Sequence, residues 1–179
     1  MEISQAHDPV ASLRAALPDV LHSVTEYAGE TTLEIDAKNV VEVVRYLRDT
    51  QGLLYNFLSD ISAVDYYPDY SKRPGRFGVA YHLYSMIYNR RIRVKIYLDE
   101  DASEVDTMTT LWPVADFLER EIFDLMGINF RGHPNMRRLL LSDDWSGHPL
   151  RRDYPLGYET VQFSFNAEQI MKHKPFAKD

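Results

Sequence analysis

The sequence predicts an α+β fold of two layers, helices packed on a mixed or antiparallel sheet, followed by an extended irregular C-terminal segment. Three observations predict it. Residues 37–51 and 113–126 carry apolar side chains at helical spacing, residues 76–98 carry them in alternation, and beyond residue 142 prolines and glycines interrupt every period. The α+β core is therefore expected over residues 1–142 and an extended interaction segment over 143–179.

Asp8-Pro9 followed by Val10, Leu13 and Leu17 reads as a short amphipathic helix. Asp8 is its N-cap, Pro9 sits in the first turn where no backbone donor is needed, and Pro18 stops it. β-Branched and aromatic residues on either side of Gly29-Glu30 predict a hairpin over 20–28 and 31–36. The helix over 37–51 gathers Val40, Val43, Val44 and Leu47 on one face and ends before Gly52. Residues 53–67 mix Phe57, Ile61 and Val64 with Ser and Asp, which predicts one strand and a turn, and 68–75 form a loop. The clearest hairpin spans 76–87 and 91–98, where Ile92, Val94, Ile96 and Leu98 alternate with Arg93, Lys95 and Tyr97; one face is buried and the other polar. Eight of the 12 tyrosines lie between Tyr55 and Tyr97. Ordinary β-propensity explains them most simply, and a contact face is the other explanation. An acidic loop at 99–103 and a short helical turn near 107–111 lead to a helix that Pro113 starts and Gly127 ends.

Composition narrows the function. With no cysteine, disulfides, thiolate metal sites and cysteine nucleophiles are excluded. The apolar runs fall far short of the roughly 20 residues a membrane-spanning helix needs, and no signal peptide opens the chain, so a soluble cytoplasmic protein is expected. The net charge of −7 is uneven: residues 1–118 carry 11 basic and 18 acidic side chains, and the remainder nine of each. An acidic body argues against nucleic-acid binding. Glycine-rich nucleotide fingerprints, phosphate loops and a serine nucleophile elbow are all missing. His82, on a strand between Tyr81 and Tyr84, reads as a hydrogen-bonded core or interface histidine.

The densest stretch is 119–156. On a helical wheel Val114, Leu118, Ile122 and Leu125 form the apolar stripe of the last helix, with Phe117 and Met126 at its margins. Glu121 falls inside that arc, and Asp116, Glu119, Arg120 and Asp124 fall outside it. An unpaired buried carboxylate costs roughly several kcal/mol, so Glu121 is expected to pair with Arg137, Arg138, Arg151 or Arg152. Two units then echo each other, Gly132-His133-Pro134 leading to Arg137-Arg138 and Gly147-His148-Pro149 leading to Arg151-Arg152. Proline biases the residue before it towards extended backbone, so both His-Pro pairs are expected to be extended along a surface. An irregular, arginine-rich run has few backbone partners of its own. A second protein is the expected source of the missing hydrogen bonds, with Trp145, Arg151 and Tyr154 as its anchors. A stand-alone metal-dependent hydrolase built on Glu119, Glu121, Asp124, His133 and His148 is the competing reading. Their spacing opposes it, since no two histidines stand four apart with a glutamate between them.

Glu119-Arg120-Glu121, Asp124-Leu125-Met126, and His133 with Arg137 beyond the spacer Pro134-Asn135-Met136 and Leu139-Leu140 after it resemble the signature of the 30 kDa-type subunit of respiratory complex I, the proton-pumping NADH:quinone oxidoreductase. Trp112-Pro113 with Ala115, Trp145 leading to Gly147 and Pro149-Leu150-Arg151, and the Tyr81, Leu83 and Ser85 pattern of the hairpin are similar to the same family, over about residues 34–158. The resemblance implies a non-catalytic structural subunit of the hydrophilic arm, supporting electron transfer from NADH to quinone. It would dock beside the large subunit of the quinone module and the neighbouring iron-sulfur subunits, on the cytoplasmic side of the cell membrane, meeting the membrane only through the complex. Iron-sulfur clusters, flavin and quinone would belong to those partners and none to this chain. The signature positions it implies are Glu119, Arg120, Glu121 and Asp124 on the helix, then His133, Arg137, Arg138, Trp145, His148, Arg151, Arg152 and Tyr154 beyond it. The corresponding subunit of the ferredoxin-dependent photosynthetic complex is the alternative, because the electron-donor site lies in another chain. Gly157-Tyr158-Glu159 departs from relatives that place Ser or Thr before the glycine, and 163–179 carry no recognisable motif.

Overall fold

Alternation of apolar and polar residues builds the sheet. In the computed structural model, which describes residues 5–155, strands β1 (Leu21–Tyr27), β2 (Glu30–Ile35), β3 (Phe57–Asp65), β4 (Phe77–Ser85) and β5 (Arg90–Leu98) form one mixed sheet in the order β1-β2-β5-β4-β3. The β1–β2 hairpin turns on Ala28 and Gly29, both with positive φ, which matches the twist of its strands. β4 and β5 pair antiparallel from Phe77 opposite Leu98 to Ser85 opposite Arg90. β2 and β5 run parallel, and the crossover between them carries the second helix and the edge hairpin. Phe77, Val79, Tyr81, Leu83, Val94 and Ile96 are buried on the face that the helices cover.

Helix α1 (Pro9–Ala16) is capped by the Asp8 carboxylate, which accepts from Val10 N and Ala11 N. A 3-10 turn, Ala37–Asn39, leads into α2 (Val40–Asp49), which buries Val40, Val43, Val44 and Leu47 as its spacing predicts. A single hydrogen-bonded turn at Met108 and Trp112 precedes α3 (Ala115–Met126), which packs against β3. Two strands of three residues, β6 (Glu104–Asp106) and β7 (Asn129–Arg131), pair in parallel beside the main sheet. They are too short to show a period, and the sequence pattern missed them. Past β7 no residue of the described chain is helical or in a strand, and both His-Pro pairs lie in irregular backbone. Expectations for 156–179, including the Gly157-Tyr158-Glu159 run, lie outside the described residues.

The orientation of α3 corrects the helical wheel. Val114 and Phe117 are 49% and 57% exposed, and Ala115, Glu119, Ile122, Asp124 and Met126 are buried. Glu121, placed inside the apolar arc, points to solvent and has no ion pair among the described residues. A wheel weighs average hydropathy. It cannot see that hydrogen-bond donors lie ready for Glu119 and Asp124, and those donors set the rotation of the helix.

Leu13 is fully buried between the first helix and the rest of the core. Leu13→Ala is expected to cost about 2–4 kcal/mol, read as a lower urea midpoint with unchanged slope.

Candidate functional site

The chain beyond β7 wraps α3 as a strap, and Asp124 is its central fastening. One carboxylate oxygen, Oδ2, accepts from three consecutive backbone amides, Leu139 N at 2.9 Å, Leu140 N at 2.7 Å and Leu141 N at 2.9 Å. The other, Oδ1, accepts from the Arg138 guanidinium at 2.8 Å, and Arg138 also donates to the Trp145 carbonyl at 3.1 Å. Successive N–H groups aimed at one point make an anion-binding nest, here filled by the protein's own carboxylate. Burial would raise the Asp124 pKa, but the amides of Leu141, Leu140 and Leu139 together with Arg138 outweigh it, so the carboxyl is held below its ordinary value.

The second Gly-His-Pro unit closes the C-terminal end of α3, where helix carbonyls lack intrahelical donors. His148 Nδ1 donates to the Asp124 carbonyl at 2.9 Å, Leu150 N to that of Leu125 at 3.0 Å and Arg151 Nε to that of Met126 at 2.8 Å. The Arg151 cation there also opposes the negative end of the helix dipole. Burial lowers the pKa of both His148 and Arg151. Gly127 makes this approach possible: it ends the helix at φ 72°, and a Cβ there would lie 2.5 Å from His148 Nε2 and 2.6 Å from Arg151 Nη2.

The first unit grips the N-terminal half. His133 Nδ1 accepts from Asn135 N at 3.0 Å, which assigns the ring proton to Nε2. That nitrogen faces the Asp116 carbonyl at 3.3 Å, Asp116 Oδ1 at 3.2 Å and Glu119 Oε2 at 4.0 Å. Arg120 reaches along the helix to donate to the carbonyls of Arg137 and Arg138. Fully buried Glu119 accepts from Thr107 Oγ1 at 2.5 Å and Met108 N at 2.6 Å. Burial outweighs both donors and pushes its pKa up to about 7. Tyr81, fully buried in turn, is raised well above an ordinary phenol by burial and then by the nearby Glu119 and Asp106 charges.

A second fastening ties the end of the strap to the sheet. Arg76 is 1% exposed and forks onto Asp65, through Nε at 3.1 Å and Nη2 at 2.8 Å, then donates to Glu100 at 2.6 Å and Asp153 at 2.7 Å. Asp65 Oδ2 also accepts from Arg152 N at 2.9 Å. Burial raises the Asp65 pKa less than Arg76 and the amides of Tyr67 and Arg152 lower it, so its carboxylate stays ionised. Arg151 lies over the Phe77 ring, 5.3 Å from its centroid.

The structure thus brings together Glu119, Arg120, Asp124, His133, Arg138, His148 and Arg151 around one helix and leaves Glu121 outside. Among the described residues no arginine meets Glu121; Arg138 meets Asp124 instead, because the strap crosses the other side of α3. The strap finds more backbone partners in its own domain than the few expected, since Asp124, Leu125 and Asp65 supply acceptors for its amides. Residue 142 lies beyond the last regular structure, while hydrogen bonds to the core continue to Asp153. Arg137 and Arg152 have exposed side chains, and Trp145 and Tyr154 are half-buried, the Tyr154 hydroxyl donating to the Ser146 carbonyl at 3.4 Å. Asp65, Arg76, Thr107 and Asp153 were missed by sequence reasoning. An aspartate ending one strand and an arginine just before the next were the available signal. Among the described residues no three His, Asp or Glu side chains are grouped to hold a metal ion. What this arrangement does chemically is fix an irregular surface with the chain's own charged side chains.

A family profile described as respiratory-chain NADH dehydrogenase, 30 Kd subunit, matches residues 33–160. The C subunit of the NADH-quinone oxidoreductase of Roseiflexus sp. (strain RS-1) is 46% identical over 167 residues, covering 93% of this chain and 94% of that protein. Its counterpart from Citrifermentans bemidjiense is 47% identical over 147 residues, 82% of this chain and 88% of that one. Among solved structures, the trypsin-resistant fragment (1-134) of Nqo5 superposes with a TM-score of 0.59 at 33% identity, covering 70% of this chain and 95% of the fragment. A chain of the membrane-bound sulfane sulfur reductase, an archaeal respiratory membrane complex, superposes with a TM-score of 0.66 over 95% of this chain and 94% of its own; at 21% identity it shares the fold.

Two outcomes test the fastenings. Asp124→Ala orphans three amides and a half-buried guanidinium and is expected to cost about 3–5 kcal/mol, with faster hydrogen exchange at Leu139, Leu140 and Leu141. Glu119 binds its proton more tightly folded, pKa about 7, than unfolded, near 4.5. Its contribution is complete below the unfolded value, falls as pH rises from there through 7, and is lost above, about 3 kcal/mol in all. Glu119→Gln keeps an acceptor for Met108 N without a charge to bury. Compared with the unsubstituted chain in urea melts from pH 5 to 8, it should lose that decline and be the more stable protein at pH 8.

Proposed function

The chain belongs to the family of the respiratory-chain NADH dehydrogenase 30 kDa subunit, and from that premise we propose that it is a structural, non-catalytic subunit of the hydrophilic arm of an NADH:quinone oxidoreductase. The observation that carries this reading is how the signature residues are used. Glu119, Asp124, His133, Arg138, His148 and Arg151 are engaged by their own chain in shaping one surface, while the side chains of Arg137 and Arg152 stay exposed upon it. Around them Phe117, Leu140 and Leu150 are 57%, 61% and 56% exposed. Apolar side chains beside unspent guanidinium groups, with Trp145 and Tyr154 close by, are the chemistry of a protein interface.

The partners are the large quinone-module subunit and the neighbouring iron-sulfur subunits, with the stretch 143–179 as the docking segment. Flavin, iron-sulfur clusters and quinone reside in those partners, and this chain holds no cofactor. Its place is peripheral, on the cytoplasmic side of the membrane, in keeping with the finding that no helix among the described residues is long and apolar enough to cross one. The protein supports electron transfer by holding its neighbours in register. Electrons do not pass through it.

Reversing both exposed charges, Arg137→Glu with Arg152→Glu, tests the interface without touching the side-chain fastenings. The isolated variant should unfold at an unchanged midpoint. Its recovery with the large quinone-module subunit in a purification of the complex should fall at least about 10-fold, equivalent to about 1.4 kcal/mol of binding. Quinone reduction per mole of iron-sulfur cluster in whatever complex does assemble should be unchanged. Undiminished recovery, or a fall in turnover per cluster, would reject this reading.

A further inference from the structure

The strap leaves most of the tyrosines between Tyr55 and Tyr97 unexplained, and several of them line the opposite side of the sheet. On that open face Tyr66 stands with Tyr27 of β1 around a floor of small residues, and Tyr97 lies beside Tyr66 with ring centroids 6.1 Å apart. Gly78 forms part of the floor: a Cβ there would lie 2.9 Å from the Tyr66 ring and 3.3 Å from Lys95 Cε. A trough of about 430 Å³ crosses all five strands, from Tyr27 to Val64. A second hollow of about 260 Å³, beside Asp60 and Arg91, shares His82 and Arg93 with it.

The charge of this face departs from that of the body. Residues 1–118 are acidic, yet β5 places Arg93 and Lys95 in the trough and Arg91, further along the same strand, in the second hollow, facing Glu34 in the first and Glu30 and Asp60 in the second. Arg93 meets Glu30 at 2.6 Å. Lys95 has no carboxylate within ion-pair distance among the described residues; its ammonium donates to the Tyr66 hydroxyl at 2.8 Å and lies 5.2 Å and 4.8 Å from the Tyr66 and Tyr97 ring centroids. Burial works against the Lys95 charge, but the two phenols outweigh it and keep the ammonium protonated. Arg91, over the Tyr84 ring at 5.8 Å, likewise lacks a carboxylate partner among the described residues. The nearby Glu34 is held by the hydroxyls of Ser23 and Tyr97. A half-buried ammonium with only neutral partners is stabilised by an anion brought to it.

We propose that the open face of the sheet is a docking trough for an extended acidic segment of a neighbouring protein of the complex, one of whose carboxylates seats on Lys95. This rests on the reading of the chain as part of a larger assembly. Five strands about 4.8 Å apart place the outer two about 19 Å from each other, the reach of about six extended residues. Aromatic walls and a glycine floor suit such a backbone, and the cations select its charge. The chain's own remaining stretch, 156–179, is a poorer match, with three acidic and three basic side chains.

The test uses the intact complex, with a photoreactive benzophenone side chain in place of Tyr27, which is 82% exposed at the end of the trough. After illumination, mass spectrometry identifies the attached peptide. The expected result is an acidic segment of another protein of the complex, with the yield of that cross-link reduced at least fivefold by Lys95→Glu and by Lys95→Gln. The second variant covers the case in which charge reversal prevents folding. Loss of either variant from the complex at an unchanged unfolding midpoint also supports the proposal. A cross-link to residues 156–179, to a second copy of the chain or to a neutral or basic segment overturns it, as does no cross-link or a yield that neither variant alters. Absence of the chain from any NADH:quinone oxidoreductase would reject the functional reading itself, whereas a chain present in the complex with its trough unoccupied rejects only the docking.

Discussion

One carboxylate oxygen organises the second half of this protein. Asp124 Oδ2 takes three successive amides, Oδ1 takes a guanidinium, and the backbone carbonyl of the same residue takes an imidazole. Each of these donors lies in a stretch with no ladder of its own, so a single helical residue replaces the hydrogen bonding that regular structure would have provided. The geometry also decides which way α3 faces. Turning Asp124 and Glu119 towards their donors brings Val114, Phe117 and Glu121 out to solvent.

The two buried carboxylates of that helix behave oppositely for a physical reason. Asp124 has three amides and a cation, enough to overcome desolvation, and stays ionised. Glu119 has one amide and one hydroxyl, with the Asp116 carboxylate nearby and a histidine no closer than 4.0 Å; desolvation wins and its proton is retained near neutrality. Identical chemistry on one helix, a turn or so apart, thus serves a permanent charge in one case and a nearly neutral acceptor in the other. The Arg76 cluster is of the first kind: Asp65 faces a bidentate fork and two amides in a site closed to water.

The sheet and α2 were legible in the sequence because their burial is one-sided and repeats along several turns or residues. Val40, Val43, Val44 and Leu47 could be placed from spacing alone. The strap was legible as a motif but not as a geometry. Its glycines, prolines and arginines marked it, yet the partners of Asp124 lie 14 to 17 residues downstream, in backbone amides whose availability no side-chain pattern records. The same blindness misassigned Glu121, since an arc drawn from Val114, Leu118, Ile122 and Leu125 alone takes no account of the donors that turn Glu119 and Asp124 inward. Arg76, just before β4, and Asp65, at the end of β3, stand 11 residues apart, a separation with no periodic signature, and β6 and β7 are each only three residues long.

The Arg76 junction also bears on how the polypeptide matures. Its bonds to Asp153 and from Arg152 to Asp65 close intervals of 77 and 87 residues, among the longest in the fold. A nascent chain can lay down the sheet and its covering helices early, but the guanidinium stays short of one acceptor until Asp153 has been synthesised. A polypeptide that stops short of Arg152 and Asp153 therefore leaves this buried junction open, however completely its sheet has formed.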